Sequence, residues 1–183
     1  MNNDKIPFHF VCTHDEAADL IKRFDRYWVS NCGCRESRGS ICQKSRLDLC
    51  LMFRGDIPAS GASMHEICFT DVSNILKEAS SKHLVARPFR NEIDRKTIEG
   101  ICFCCDDCCG YFTKPEEQCD KGALIEKTNY DICQHCGNCV EVCYFRARAI
   151  DSGELQIIRD NCYGCGLCVD LCPEEAIEMI STR

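Results

Sequence analysis

Near the carboxyl end the chain reads Cys133-Gln134-His135-Cys136-Gly137-Asn138-Cys139-Val140-Glu141-Val142-Cys143. It then repeats the spacing in Cys162-Tyr163-Gly164-Cys165-Gly166-Leu167-Cys168-Val169-Asp170-Leu171-Cys172-Pro173. Both runs are C-x2-C-x2-C-x3-C. Three cysteines so closely set on one tight loop can wrap three corners of a single metal centre. The fourth, at the start of a short helix, points away from them and must serve the centre of the other loop. The flanks repeat as well. Ala123-Leu124-Ile125-Glu126 precedes the first run and Leu155-Gln156-Ile157-Ile158 the second, each a short apolar strand candidate. Ala149-Ile150 and Ala176-Ile177 follow the fourth cysteines, and Asp151-Ser152-Gly153-Glu154 supplies a turn between the halves. The pattern is an internal duplication with a pseudo-twofold relation. Gly137 and Gly166 follow the second cysteine of each run, where a chain bending around a metal centre needs backbone freedom.

On these residues the last third of the chain resembles a bacterial-type two-[4Fe-4S] ferredoxin. The resemblance implies a βαββαβ-like fold in which Cys133, Cys136, Cys139 and Cys172 hold one [4Fe-4S] cluster, and Cys162, Cys165, Cys168 and Cys143 the second.

Cysteine makes up 20 of 183 residues. In a short secreted chain that would suggest a disulfide scaffold, but the opening Met-Asn-Asn-Asp-Lys-Ile-Pro-Phe lacks the apolar run of a signal peptide. No stretch is long and apolar enough to span a membrane. A reduced, cytoplasmic protein whose cysteines are metal ligands is expected. The formal charge of -7 argues against nucleic acid as a partner, and each oxidised cubane with four thiolates adds about two more negative charges. A redox partner protein with a locally basic docking face is the natural expectation.

The expected organisation is α+β: a small α/β cysteine-rich domain over 1–112, a linker over 113–121, and the two-cluster domain over 122–183. Thr13-His14-Asp15-Glu16 reads as a capping box opening a helix, with Leu20, Ile21, Phe24 and Tyr27 or Trp28 on one face, running to Ser30-Asn31. Leu49 to Phe53 is an expected buried strand, so Cys50 is either a ligand or a small core residue. Gly55 to Met64 is a loop. Thr70 or Asp71 is expected to cap a helix carrying Val72, Ile75, Leu76 and Ala79, and Leu84 to Phe89 is extended. Gly110 to Gly122 reads as a linker holding a free thiol at Cys119.

Two dense cysteine knots remain. Cys32, Cys34, Cys42 and Cys50 belong to the first, and Cys102, Cys104, Cys105, Cys108 and Cys109 to the second. The arrangement resembles a cysteine-rich domain fused ahead of ferredoxin modules in anaerobes, a resemblance that implies architecture and little chemistry. Soft thiolates without a paired histidine motif favour iron–sulfur or tetrathiolate zinc over hard cations. The expected ligands are Cys32, Cys34 and Cys42 with one or more of Cys102, Cys104, Cys105 and Cys108, holding a third iron–sulfur cluster or, alternatively, zinc. The leading function is electron transfer through two cubanes, not stand-alone catalysis. Two alternatives are a redox enzyme whose amino-terminal cysteines form a reductase centre, and a redox or metal sensor with structural zinc. No nucleotide- or flavin-binding glycine loop is visible, and no catalytic residue is assigned.

Tyr144 stands where the second run has Pro173, and Arg146 and Arg148 follow it. Guanidinium charge near a cluster favours its reduced form, so the cluster ligated by Cys143 is expected to have the higher potential. The alternative is a packed Tyr144 with solvated or partner-docking arginines. His135, inside the first loop, is either a proton-coupled group or a plain loop residue. Asp106 and Asp107 read as an acid–base pair or as a turn between ligands.

Overall fold

The computed structural model describes residues 6–39, 42–58, 61–114 and 117–182. Its architecture is mixed α and β. In the amino-terminal part the strands are β1 (His9–Phe10), β2 (Tyr27–Ser30), β3 (Cys50–Met52), β4 (His65–Ile67), β5 (Val85–Arg90), β6 (Ile98–Cys104) and β7 (Cys119–Asp120). They form one sheet in the order β4-β2-β3-β6-β5-β1-β7. The β1–β7 pair is parallel and the others are antiparallel. The helices are α1 (His14–Ile21), α2 (Gly33–Ser37), α3 (Phe69–Ser81) and α4 (Gly110–Thr113).

Strand alternation sorts the side chains onto two faces. Val29, Leu51, Ala86, Ile101 and Phe103 join Ala17, Leu20 and Ile21 of α1 and Val72, Ile75 and Ala79 of α3 in the main core. Cys50, Met52 and Phe89 turn to the opposite face, where Phe8, Trp28 and Cys102 pack on them. Gly100 is required where β3, β5 and β6 meet, because a Cβ there would lie 2.3 Å from the Leu51 carbonyl oxygen and 2.4 Å from the Phe89 ring.

The capping box of α1 forms as expected: the Glu16 N–H donates to Thr13 Oγ1 (3.1 Å), and the Thr13 N–H donates to Glu16 Oε2 (2.9 Å). The helix is shorter than expected, however. It ends at Ile21, and Tyr27–Ser30 is strand β2, paired with β3 and β4. The β-prone Tyr-Trp-Val run gains two strand partners, while the Tyr27 hydroxyl turns back to donate to the carbonyls of Ile21 and Phe24 at the helix end. Helix α3 is capped two to three residues earlier than expected. Cys68 is the N-cap, and Asp71, three residues on, accepts the Cys68 N–H (3.1 Å). Residues 59–60, within the expected loop, and 115–116, within the expected linker, lie outside the described residues.

The carboxyl-terminal part runs β8 (Leu124–Thr128), α5 (Asn138–Glu141), β9 (Arg148–Asp151), β10 (Glu154–Ile157), α6 (Leu167–Asp170) and β11 (Ile177–Ser181). Strand β8 pairs antiparallel with β11, from Leu124↔Ser181 to Thr128↔Ile177, and β9 pairs with β10. Ser152 (φ 51) and Gly153 (φ 86) make the tight turn of the β9–β10 hairpin.

The segment read as a linker carries α4 and β7 instead. Strand β7 sits beside β1, and the Val11 N–H donates to the Asp120 carbonyl (3.0 Å). The two parts of the chain are therefore packed together. Val11 and Val85 share a cluster with Val142 and Leu167, against which Phe112, Cys119, Tyr144, Phe145 and Tyr163 pack. Phe145 stacks on Tyr163 at 4.5 Å and meets Phe112 edge-on at 5.2 Å. Cys119 is consequently part of a packed junction, with no disulfide partner.

Candidate metal centres

All 20 cysteines are free of disulfides. In the carboxyl-terminal part they line two small recesses. One is bounded by Cys133, Cys136, Cys139 and Cys172, with His135, Leu155, Pro173 and Ile177. The other is bounded by Cys143, Cys162, Cys165 and Cys168, with Val142, Phe145, Arg148 and Tyr163. The fourth cysteine of each run thus lies in the recess of the opposite run. Gly137 (φ 83) and Gly166 (φ 80) are the N-caps of α5 and α6, in a left-handed conformation that admits glycine without strain.

The fit of these recesses to a sulfur-ligated cofactor rests on donors aimed at sulfur. The Ala147 N–H donates to Cys143 Sγ and the Ala176 N–H to Cys172 Sγ, both at 3.2 Å. Burial pushes the Cys165 and Cys168 thiols up to about 12, with neighbouring cysteines adding to the rise at both. A cation held among the sulfurs reverses that preference, because metal coordination favours the thiolate.

Arg148 is buried between the two recesses. Its guanidinium donates to Cys139 Sγ (3.4 Å), to Glu126 Oε2 (2.6 Å) and to Thr128 Oγ1 (3.0 Å), while its side chain lines the Cys143 recess. It is neither solvated nor free to dock a partner. Its charge is matched by Glu126, which is 1% exposed. His135 (φ 53) accepts the Leu155 N–H at Nδ1 (2.8 Å), so the ring anchors the hairpin strand to the first cysteine loop. Tyr144 packs on Phe112, and its ring and hydroxyl receive Lys44 Nζ, at 4.3 Å to the centroid and 3.3 Å to the oxygen.

The amino-terminal cysteines fall into two groups. Cys42, Cys105 and Cys108 form a triangle with Sγ–Sγ separations of 3.6, 3.3 and 3.4 Å on the main-core side. Cys32, Cys34, Cys102, Cys104 and Cys109 line a cavity of about 350 Å³ on the other side. In this second group the Gly110 N–H donates to Cys34 Sγ (3.5 Å), and Arg87 Nη1 donates to Cys109 Sγ (3.1 Å). Cys102 Sγ lies 3.7 Å from His9 Nε2 and 3.8 Å from Cys50 Sγ. Cys108 touches the cavity wall as well. The seven residues expected to serve one site are therefore divided between two.

Within each group the sulfurs share protons unequally. Cys34 is lowered by hydrogen bonds from Cys109 and Cys32, against burial, while both of those partners are raised. Cys105 is lowered to about 5, chiefly by the hydrogen bond from Cys108.

Several participants carried no sequence signal. Arg87, 1% exposed, pairs with Glu117 (2.7 Å), which also meets His9 at 3.3 Å. Glu117 is held below the usual carboxylate range by the hydrogen bond from His9 and then by Arg87, against burial. An arginine before Pro88 in an apolar strand would have been the clue, since register sets Arg87 opposite Cys102. Cys109, outside the expected ligand set, is another; its spacing from Cys105 left it indistinguishable from its neighbours. Asp106 and Asp107 are ion-paired to Lys44 (2.6 Å) and Arg38 (2.9 Å), the behaviour of a structural turn.

No helix among the described residues is long and apolar enough to cross a membrane. No curated protein matches the chain. Residues 132–176 match the family model of a 4Fe-4S dicluster domain, which supports a ferredoxin-like iron–sulfur module there and an iron–sulfur electron-transfer role for the protein.

Proposed function

We propose that this protein carries single electrons through two [4Fe-4S] clusters to an iron–sulfur centre in its amino-terminal part. One cluster is held by Cys133, Cys136, Cys139 and Cys172, the other by Cys162, Cys165, Cys168 and Cys143. The observation that carries this reading is the exchange of fourth cysteines between the two recesses. When bound, such clusters supply one-electron transfer at potentials set by charge, hydrogen bonds to sulfur and exposure. The chain supplies the rest: amides of Ala147 and Ala176 and the guanidinium of Arg148 donate to sulfur and favour the more negative, reduced state.

The recesses differ in setting, which gives the path a direction. Cys136 is exposed, whereas the Cys143 recess backs onto Phe145 and Tyr163 at the junction with the amino-terminal part. An outer cluster therefore exchanges electrons with the partner, and an inner one faces the amino-terminal cysteines. From the Cys143 recess Phe145 and Tyr163 meet Tyr111, whose ring lies against Arg87, the donor to Cys109 Sγ. The partner is a redox protein with a locally basic docking face, as the charge of -7 suggests. A cytoplasmic, reducing location fits a chain whose cysteines serve as metal ligands.

The third iron–sulfur centre belongs to Cys32, Cys34, Cys104 and Cys109, where Arg87 and the Gly110 amide donate to sulfur. One feature favours a second reading, in which this centre is a reductase site. The adjoining cavity has apolar walls from Phe8, Met52, Pro58 and Phe89, with His9, Arg87 and Glu117 beside them, and it can admit a small oxidant.

Anaerobic purification with iron and sulfide analysis tests the proposal. About eight irons and eight sulfides are expected from the ferredoxin module, and about twelve of each with a third cubane. Colourless protein without inorganic sulfide would refute it. A spectrum at the third centre that changes when a small oxidant is added, and is insensitive to it in Arg87→Gln, would favour the reductase reading.

A further inference from the structure

The Cys42–Cys105–Cys108 triangle is built for something smaller than a cluster. Among the described residues it is the one group of three cysteine, histidine or carboxylate ligand atoms lying within 4.8 Å of one another. The cysteines of the two ferredoxin recesses form no such group, nor do Cys32, Cys34, Cys104 and Cys109. Thiolates on separate irons stand apart across a cluster, whereas three thiolates on a single tetrahedral cation at metal–sulfur distances of about 2.3 Å lie about 3.8 Å apart. The observed 3.3–3.6 Å is close to the second case.

Arg35 supplies an independent observation. It is 4% exposed, and its Nη2 donates to the Phe103 carbonyl (2.9 Å). Nε and Nη1 have no hydrogen-bond partner among the described residues, and no carboxylate there pairs with it. The groups that act on its charge are the sulfurs of Cys32 first and then those of the triangle, Cys108, Cys42 and Cys105. A buried guanidinium without a counter-charge is costly. Three thiolates around one divalent cation carry a net charge of -1, which Arg35 neutralises.

We infer that Cys42, Cys105 and Cys108 bind one zinc-class divalent cation as a mononuclear three-thiolate site, separate from the cluster centre at Cys32, Cys34, Cys104 and Cys109. The inference rests on the iron–sulfur reading only in that it assigns the remaining cysteines. Stretches far apart in sequence are drawn together by the same site: Cys42 comes from the loop after α2 and Cys105 and Cys108 from the turn after β6. Arg38–Asp107, the Gln43 N–H to Asp107 and Lys44–Asp106 clamp that loop to that turn. With three thiolates placed, one tetrahedral position is left for water or an added ligand.

The test uses the full chain, purified anaerobically from zinc-supplemented medium, with zinc, iron and sulfide measured on the same sample. One zinc per chain is expected. Cys42→Ser should lose that zinc with iron and sulfide unchanged, and Cys68→Ser, an exposed cysteine, should keep all three. Zinc-edge X-ray absorption on the unaltered protein should find three sulfurs at about 2.3 Å and one lighter ligand, which decides the matter even if Cys42→Ser fails to fold. Protein that holds iron and sulfide but no zinc, a zinc shell of four sulfurs, or loss of iron and sulfide together in Cys42→Ser would overturn the inference. Absence of iron and sulfide alone would overturn the electron-transfer reading and leave the zinc count to stand by itself.

Discussion

Arg148 and Glu126 form an ion pair in which both side chains are 1% exposed, joined at 2.6 Å. Removing Glu126 leaves Arg148 buried without a carboxylate, and removing Arg148 leaves Glu126 with only the exposed Arg159, at 3.8 Å. Arg148→Met should destabilise the protein by about 3–5 kcal/mol, and Arg148→Met with Glu126→Leu should recover much of that loss; anaerobic denaturant titration measures both. The same arginine donates to Cys139 and lines the Cys143 recess, so its charge is shared between the clusters and offset by Glu126. The expectation that the cluster ligated by Cys143 has the higher potential of the two is checked by anaerobic redox titration of both clusters. Glu117 gives a pH prediction. Its carboxyl is depressed in the folded protein, so its stabilising pairs with His9 and Arg87 are fully formed above the ordinary glutamate value and are lost as pH falls through the lower, folded one. Glu117→Gln should therefore lower the denaturation midpoint at neutral pH and flatten its decline below about pH 5, as read from midpoints measured from pH 7 down to about 3.

At the scale of elements, the cap of α1 has two duties. Thr13 Oγ1 accepts the Glu16 N–H, and its methyl lies against Gly166, the N-cap of α6 in the ferredoxin module. Thr13→Ala should cost about 1 kcal/mol and Thr13→Ser much less, measured by denaturant unfolding. Strand β6 separates the two amino-terminal sulfur groups. Ile101 and Phe103 face the main core while Cys102 and Cys104 face the cavity; at the end of the strand Cys105 turns into the core. Adjacent cysteines in Cys104-Cys105 thus belong to different sulfur groups, and alternation could be read from the sequence once a strand was assigned there. The end of α1 could not be read in the same way. Phe24 and Tyr27 fit the helical stripe, but the pairing of Tyr27–Ser30 with both β3 and β4 outweighs a period seen over so few turns.

For the whole molecule, the amino-terminal sheet and the ferredoxin module share an aromatic junction, with Phe145 stacked on Tyr163 and edge-on to Phe112. Phe145→Ala should cost about 2–3 kcal/mol, below the 3–5 of a fully buried ring because Phe145 is only partly buried. It should also speed oxidative loss of the inner cluster, followed by visible absorbance in air. In the unaltered protein the outer site should fail first. During chelator-driven iron loss, alkylation followed by mass spectrometry should label Cys133 and Cys136 ahead of Cys165 and Cys168, since Cys136 is exposed and Cys168 buried.

The twin cysteine runs, their flanking strands and the Asp151–Glu154 turn were determined by sequence alone, because metal ligation on a tight loop and a two-residue hairpin turn are fixed by local spacing. The capping box of α1 was local for the same reason. Only the tertiary structure decided that the supposed linker pairs with β1, that the amino-terminal cysteines divide into two groups, and that Arg35, Arg87 and Arg148 are buried against sulfur. Those outcomes depend on which distant segments meet across the sheet, 60 or more residues apart for Cys42 with Cys105 and Cys108, and spacing along a chain carries no record of that.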